Sequence, residues 1–217
     1  MRKYEKIDTL YVRDTTGTKK LIEGQFRDPT VEFLAPCEWI WTEKVDGTNI
    51  RVYWDGHIVT FGGRTDNAQI PAELITKLNE KFGGEANAQM FEQMFGEKEV
   101  ILFGEGYGRK IQKGGGNYIP DGVDFILFDV LVGENYLERT NVEDIARAIG
   151  VSVVPIVGTG SLYEAVEYVK KNPASVVAEG RCEMEGIVAR PKMEMRDRRG
   201  NRLIVKIKWC DVKEIIT

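Results

Sequence analysis

Lys44 stands at the end of an apolar, aromatic run, Trp39-Ile40-Trp41-Thr42-Glu43, and two residues before an Asp-Gly pair. Turn chemistry accounts for Asp46 and Gly47. It does not account for the lysine, which reads either as a solvated strand end or as a nucleophile. A lysine amine must shed its proton before it can attack. From an ordinary pKa of about 10.4, half-deprotonation near pH 8 requires roughly 3.3 kcal/mol of differential interaction. Burial and neighbouring cations both act in that direction. Lys206 and Lys208 are two apart in a strand-like run, so both fall on one face while Val205, Ile207 and Trp209 fall on the other. Two adjacent lysines repel, and an anion held between them resolves the repulsion. An amphipathic strand explains the same pattern without a ligand.

The elements that must position these residues are mostly strands. Trp39 to Glu43 and Ile50 to Tyr53 are strand-like, and Asp55-Gly56 is a two-residue hairpin signal before His57 to Phe61. Further strands are expected at 100–105, 123–132, 153–157, 185–190 and 203–209, the last two joined by a hairpin with Arg198-Arg199-Gly200-Asn201 at its tip. Helices are expected at 71–82, with a proline in the first turn, and at 87–95. Two more run from an Asn141 cap to Ile149, and from Ser161 to about Lys171. Hairpin-paired strands with irregularly inserted helices predict an α+β fold with largely antiparallel sheets, and the absence of regular βαβ alternation disfavours a doubly wound fold.

The chain has 217 residues, enough for one well-cored domain, and a single domain over 1–217 is expected. The start MRKYEKIDTL has no apolar core of a secretory signal, and the most apolar run, 123–132, is interrupted by Asp129 and far too short to span a membrane. Cys37, Cys182 and Cys210 are an odd, widely spaced set, which argues against a disulfide framework or zinc site. A cytoplasmic protein is expected. The net charge of −4 argues against nucleic-acid binding at face value, but residues 190–213 hold nine basic side chains against Glu194, Asp197 and Asp211. Such a stripe is able to grip phosphates, and it reads equally as a solvated hairpin. The glycine-rich stretch 104–117 lacks the Gly-Lys-Ser/Thr of a phosphate-binding loop and reads either as a flexible connection or as a mobile substrate-contacting loop.

A lone Lys-x-Asp-Gly is weak, but here it begins an ordered set. Lys44-Val45-Asp46-Gly47-Thr48-Asn49 is followed by Gly63-Arg64-Thr65, Phe103-Gly104-Glu105-Gly106, Asp124 to Asp129, Glu185-Gly186-Ile187-Val188 and Val205-Lys206-Ile207-Lys208-Trp209. This order resembles the covalent nucleotidyltransferase superfamily of ATP-dependent ligases and messenger-RNA capping enzymes. The run from Glu43 to Arg51 looks most like RNA ligases of the bacteriophage RNA ligase 2 type. The resemblance covers residues 39–209.

It implies an ATP-grasp-like nucleotidyltransferase domain in which Lys44 attacks the α-phosphate of ATP and carries AMP. AMP then passes to a 5′-phosphate, and a 3′-hydroxyl displaces it to seal the strand. The implied roles are a phosphate clamp for Lys206 and Lys208, a ribose acceptor for Glu105 and a carboxylate for Mg²⁺ or Mn²⁺ at Glu185. Arg64 would contact sugar or phosphate and Asn49 the nucleic-acid end. Glu43 would read adenine through its backbone carbonyl, so that its identity matters less than its geometry. Phe128 fits the ring that stacks on the purine, with Phe125 as the alternative. His57 has no place in the chemistry, and Asp46 reads as a turn former. The implied partner is RNA, including a nicked duplex or RNA/DNA hybrid, in an RNA-repair setting, with the protein a monomer. A DNA ligase and a GTP-using capping enzyme share the lysine chemistry, and a non-catalytic RNA-binding module is the remaining alternative. Family members continue into an OB-fold or a helical C-terminal domain, and neither fits in residues 211–217.

Overall fold

The computed structural model describes residues 1–214, which fall into two compact units. The chain crosses between them at Val45-Asp46, inside the lysine motif.

The first unit comprises Met1–Glu5, Asp46–Val154 and Ala178–Gly180. Its six-stranded sheet runs in the order Ser152–Val153, Val123–Val132, Val100–Gly108, Thr48–Trp54, Val59–Gly62, with Asn135–Tyr136 also paired to Val123–Val132. All pairings are antiparallel except that of Ser152–Val153. Alternation along Thr48–Trp54 sends Ile50, Val52 and Trp54 to one face, where they meet Leu74, Leu78 and Phe82 of the helix Ala72–Phe82, Phe91 of Glu85–Phe95 and Val142 of Arg139–Ile149. Two glycines of the central strand make room for this packing. A Cβ at Gly104 would lie 2.2 Å from the Phe125 ring, and one at Gly106 would lie 2.3 Å from Leu74. The opposite face carries a smaller aromatic cluster of Phe103, Tyr136, Tyr4, Tyr53 and Phe128.

The second unit comprises Lys6–Val45, Pro155–Val177 and the chain from Arg181 onward. Its five-stranded sheet runs in the order Asp8–Thr9, Val205–Lys208, Gly186–Pro191, Trp39–Glu43, Ile156–Gly160, antiparallel except for the parallel edge strand Asp8–Thr9. Trp39, Trp41, Ile187, Ala189, Val205 and Ile207 share a core with the helix Leu162–Lys170, whose Ser161 and Glu164 form a reciprocal capping box. A short helix Pro29–Leu34, capped by Asp28, and a two-stranded ribbon, Tyr11–Arg13 with Leu21–Phe26, lie in a stretch the sequence analysis left without elements. Among the described residues no helix is long and apolar enough to cross a membrane.

The α+β class and the antiparallel sheets agree with the sequence expectation. Several boundaries differ. The 153–157 strand is two, Ser152–Val153 and Ile156–Gly160, in different sheets and separated by Pro155, which has no N–H to give a ladder. The helix expected to begin after Asn141 begins at Arg139 with Glu138 as cap, because the Leu137 N–H closes on the Val130 carbonyl and the turn follows at once. Trp209 opens a short helix, Trp209–Val212, instead of ending the strand.

Candidate active site

The lysines of the predicted set belong to the second unit. Lys44 lies one residue beyond the strand Trp39–Glu43, and its backbone N–H donates to the Gly186 carbonyl at 2.9 Å. That bond brings the motif lysine to the head of the strand Gly186–Pro191, where Glu185 sits. Gly186 has φ of 155°, and a Cβ there would lie 2.2 Å from the Ile207 carbonyl oxygen, so only glycine fits after the glutamate. The Trp209 N–H donates to the Glu185 carbonyl at 2.9 Å, which ties the far end of the lysine strand to the same residue.

Three cations and one carboxylate result. Lys44 Nζ lies 2.6 Å from Glu185 Oε2, and Lys208 Nζ lies 2.7 Å from Glu185 Oε1. Glu185 therefore bridges two lysines 164 positions apart in the chain, a pairing that the sequence did not anticipate. Lys206 and Lys208 are both half-buried on one strand face, with Val205 and Ile207 buried on the other, as their spacing predicts. Burial lowers the Lys206 pKa, and the charges of Lys44 and Lys208 add to the effect. Burial also acts against the Lys208 ammonium, but its hydrogen bond to Glu185 and the Glu185 charge outweigh this and its pKa is raised.

Glu43, immediately before the lysine, is only 1% exposed. Its carboxylate accepts from the Ser175 hydroxyl and from the backbone N–H groups of Val176 at 2.8 Å and Val177 at 3.3 Å. A carboxylate in this place holds the 175–177 segment against the strand Trp39–Glu43. Beside the backbone role that the resemblance implies, the side chain has a structural one, since a buried carboxylate with three donors is not replaceable by an apolar side chain without orphaning them.

The first unit carries the remaining predicted residues, with Asn49, Glu105 and Phe128 on the sheet face opposite its helices. Asn49 pairs in register with Glu105, and Glu105 follows Phe103 by two positions, so these three share a face. Asn49 Oδ1 is buried and has no hydrogen-bond partner among the described residues. Glu105 is half-exposed. A register shift between the pairs Phe103–Asp129 and Gly104–Leu127 leaves Phe128 as the extra residue of a bulge. The two candidate stacking rings, three positions apart, point to opposite faces of the strand. Phe125 is fully buried against Phe82 in the helix-side core, with ring centroids 5.3 Å apart. Phe128 is half-exposed on the face of Glu105. Arg64 is exposed on the loop after the strand Val59–Gly62.

Two residues absent from the sequence-based set support these positions. Arg51 is fully buried, and its guanidinium donates to the carbonyl of Gly63 at 2.7 Å, to the carbonyl of Met1 at 2.9 Å and to Asp66 at 2.9 Å. It therefore pins both flanks of Arg64. Tyr4 packs edge-on to Phe128, with centroids 5.0 Å apart, and its hydroxyl donates to the buried Asp129 at 2.7 Å. An arginine within an apolar alternation was a readable signal. Nothing in the sequence marked Tyr4.

The glycine-rich stretch is a built loop. It contains a short helix, Gly115–Tyr118, its Gln112 side chain donates to the Gly47 carbonyl at 2.9 Å, and the Tyr118 hydroxyl accepts from the Asp46 N–H at 3.3 Å. Gly47 itself is required, since a Cβ would lie 2.3 Å from the Gly106 carbonyl oxygen. His57 is exposed in the Asp55 turn, and the three cysteines are free.

Comparison with known proteins supplies the family. A family model described as RNA ligase matches residues 37–208. Among curated proteins no sequence match is found. Of the solved structures, a mutant of Naegleria gruberi RNA ligase with ATP and Mn superposes with a TM-score of 0.66 at 18% identity, covering 96% of this chain and 56% of that one. A further mutant of the same ligase with AMP and Mn gives 0.62 at 18% identity over 86% and 54%, and the ligase with PPi gives 0.60 at 20% over 94% and 61%. The chain thus spans a little over half the length of the solved ligases that it resembles in fold. With the family match running from Cys37 to Lys208, through every motif from Lys44 to the paired strand lysines, the chain belongs to the RNA ligase family.

Proposed function

We propose that the protein is an ATP-dependent RNA ligase working through a lysyl-AMP intermediate on Lys44. The observation that carries this reading is the Lys44–Glu185–Lys208 bridge beside Lys206 in a chain of the RNA ligase family. Three cations against one carboxylate leave two positive charges in excess, a setting made for a polyphosphate.

In the first step Lys44 leaves its ion pair, loses a proton to solvent and attacks the α-phosphorus of ATP. An N–P bond forms and the bond to pyrophosphate breaks. Lys206 and Lys208 offset the charge that develops on the phosphate oxygens. In the second step a 5′-phosphate oxygen of RNA attacks that phosphorus, the N–P bond breaks, and the Lys44 amine is regenerated. In the third a 3′-hydroxyl attacks the activated 5′-phosphate, and AMP leaves with the bond to it. Glu105 accepts a hydrogen bond from the ribose, Phe128 stacks on adenine, Arg64 contacts sugar or phosphate, and Glu43 holds its strand so that the backbone faces the base. Asn49, with its buried unpartnered oxygen, offers an acceptor at the nucleic-acid end. Glu185 fits Mg²⁺ or Mn²⁺ as a single hard-oxygen ligand, because such ions retain several waters, and no cage of three or more carboxylate, histidine or cysteine side chains exists among the described residues. Bound there, the ion would neutralise phosphate charge. The substrates are 5′-phosphate and 3′-hydroxyl RNA ends, in a nicked duplex or RNA/DNA hybrid, acted on by a monomer in the cytoplasm.

Incubation with labelled ATP and magnesium, followed by a denaturing gel, tests the first step. A labelled band lost in Lys44→Ala is expected. No label, label with GTP in place of ATP, or undiminished label in the variant overturns the reading.

A further inference from the structure

The segment between the strands Gly186–Pro191 and Val205–Lys208 is not needed for nucleotide chemistry, yet it is the most cationic part of the chain. It is also built to hold its shape. Arg196 and Arg202 form an antiparallel bridge, and the Leu203 N–H donates to the Met195 carbonyl at 2.9 Å. Asp197 locks the tip, its carboxylate accepting from the backbone N–H groups of Arg199 and Asn201, both at 2.8 Å, and from the Asn201 side chain at 2.9 Å. At the base, the Arg202 side chain is 2% exposed and meets Glu194 through two nitrogens. The acidic residues of the hairpin are thereby consumed in holding it together.

The cations at the tip are not. Arg198 and Arg199 are exposed and form no ion pair among the described residues, whereas Arg196, also exposed, donates to the Gly200 carbonyl at 3.0 Å. Met193 and Met195 add exposed apolar surface, 74% and 40% accessible. The protein as a whole carries −4, so its overall field repels a polyanion, and an approach to nucleic acid depends on a local basic element. Two methionines are too little apolar area to seat the hairpin in a membrane. Of the two strands that frame the hairpin, one carries Lys206 and Lys208 and the other, Gly186–Pro191, directly follows Glu185.

We propose that the Lys192–Arg202 hairpin is an RNA-backbone grip, with Arg198 and Arg199 contacting phosphates of the strand being joined; this rests on the ligase reading above. It contributes affinity for RNA and nothing to lysyl-AMP formation.

The test compares wild type with R198Q/R199Q, binding a 5′-phosphorylated single-stranded RNA between 50 and 200 mM salt by fluorescence anisotropy, with adenylylation by labelled ATP measured alongside. Two lost phosphate contacts lower the slope of log K against log salt by about 1.4. Across that salt range the wild type then loses about sevenfold more affinity than the variant. Adenylylation equal to wild type with this fall in slope is the expected result. An unchanged slope overturns the proposal, as does binding to anionic vesicles that depends on the two arginines while RNA binding does not. Should the double variant not fold, the single variants R198Q and R199Q are each expected to lower the slope by about 0.7, and unchanged slopes in both overturn it. If wild type forms no adduct with ATP, the ligase reading fails while the RNA slope still decides the hairpin.

Discussion

Glu185→Gln is the perturbation whose consequences the geometry states most fully. In the wild type each carboxylate oxygen holds one ammonium, at 2.6 and 2.7 Å, with side chains 26% (Lys44), 16% (Glu185) and 30% (Lys208) exposed. These are neither surface pairs, worth about 0–1 kcal/mol, nor fully buried ones, whose disruption costs about 3–5 kcal/mol. A loss of about 2 kcal/mol is the expected middle value. For a chain of this size each kcal/mol moves the Tm by roughly 2–4 °C, so the variant should melt about 4–8 °C lower. The substitution also raises the local charge from an excess of two cations to an excess of three. ATP supplied with a chelator, so that no divalent ion takes part, should then stabilise the variant more than the wild type. Paired thermal melts with and without nucleotide measure both effects. An unchanged Tm, or a smaller ATP-induced shift in the variant, would refute the bridging role and leave Glu185 with metal binding alone.

Three further outcomes follow from the same packing. Arg51→Met leaves the carbonyls of Gly63 and Met1 without their donor, while Asp66 is open to solvent, so a loss of about 1–3 kcal/mol is expected by chemical denaturation. Arg51→Lys should recover little of it, since one ammonium cannot reproduce the guanidinium fork. Tyr4→Phe keeps the ring beside Phe128 but deletes the bond to buried Asp129, costing about 1–3 kcal/mol by the same measurement. Lys206→Met should raise the Tm while abolishing adenylylation, because burial and two neighbouring cations disfavour the Lys206 charge. The Lys206 pKa is lowered on folding, so the penalty is present at neutral pH and is relieved as pH rises through the folded value. The stability gap between variant and wild type should accordingly narrow in alkaline melts.

The residues that were legible in the sequence are those whose meaning lies in local spacing. Lys206 and Lys208 were placed on one face by a period of two. The Asp55-Gly56 dipeptide marked the hairpin but not its length, since the loop takes four residues, 55–58, and the strand resumes at Val59 instead of His57. The motif order carried the family. What escaped depends on the third dimension. Alternation sends Phe125 and Phe128, three apart, to opposite faces but does not say which face is the core; the helices packed on one side make it that of Phe125. The bridging of Lys44 and Lys208 by Glu185 joins three distant segments, and no spacing encodes it. That the Glu43 carboxylate is buried and holds 175–177 has no local signal either, because its donors lie more than 130 positions away. Tyr4 and Arg51 act through the N-terminal residues, a stretch with no motif to announce it.

The central claim is that Lys44, and not the two lysines beside it, is the nucleophile. Intact mass spectrometry of the protein after incubation with ATP and magnesium, followed by peptide mapping, addresses it directly. One AMP-sized increment on the peptide containing Lys44, and none on Lys206 or Lys208, is the predicted result. No increment, or an adduct mapped to either strand lysine, would contradict the account.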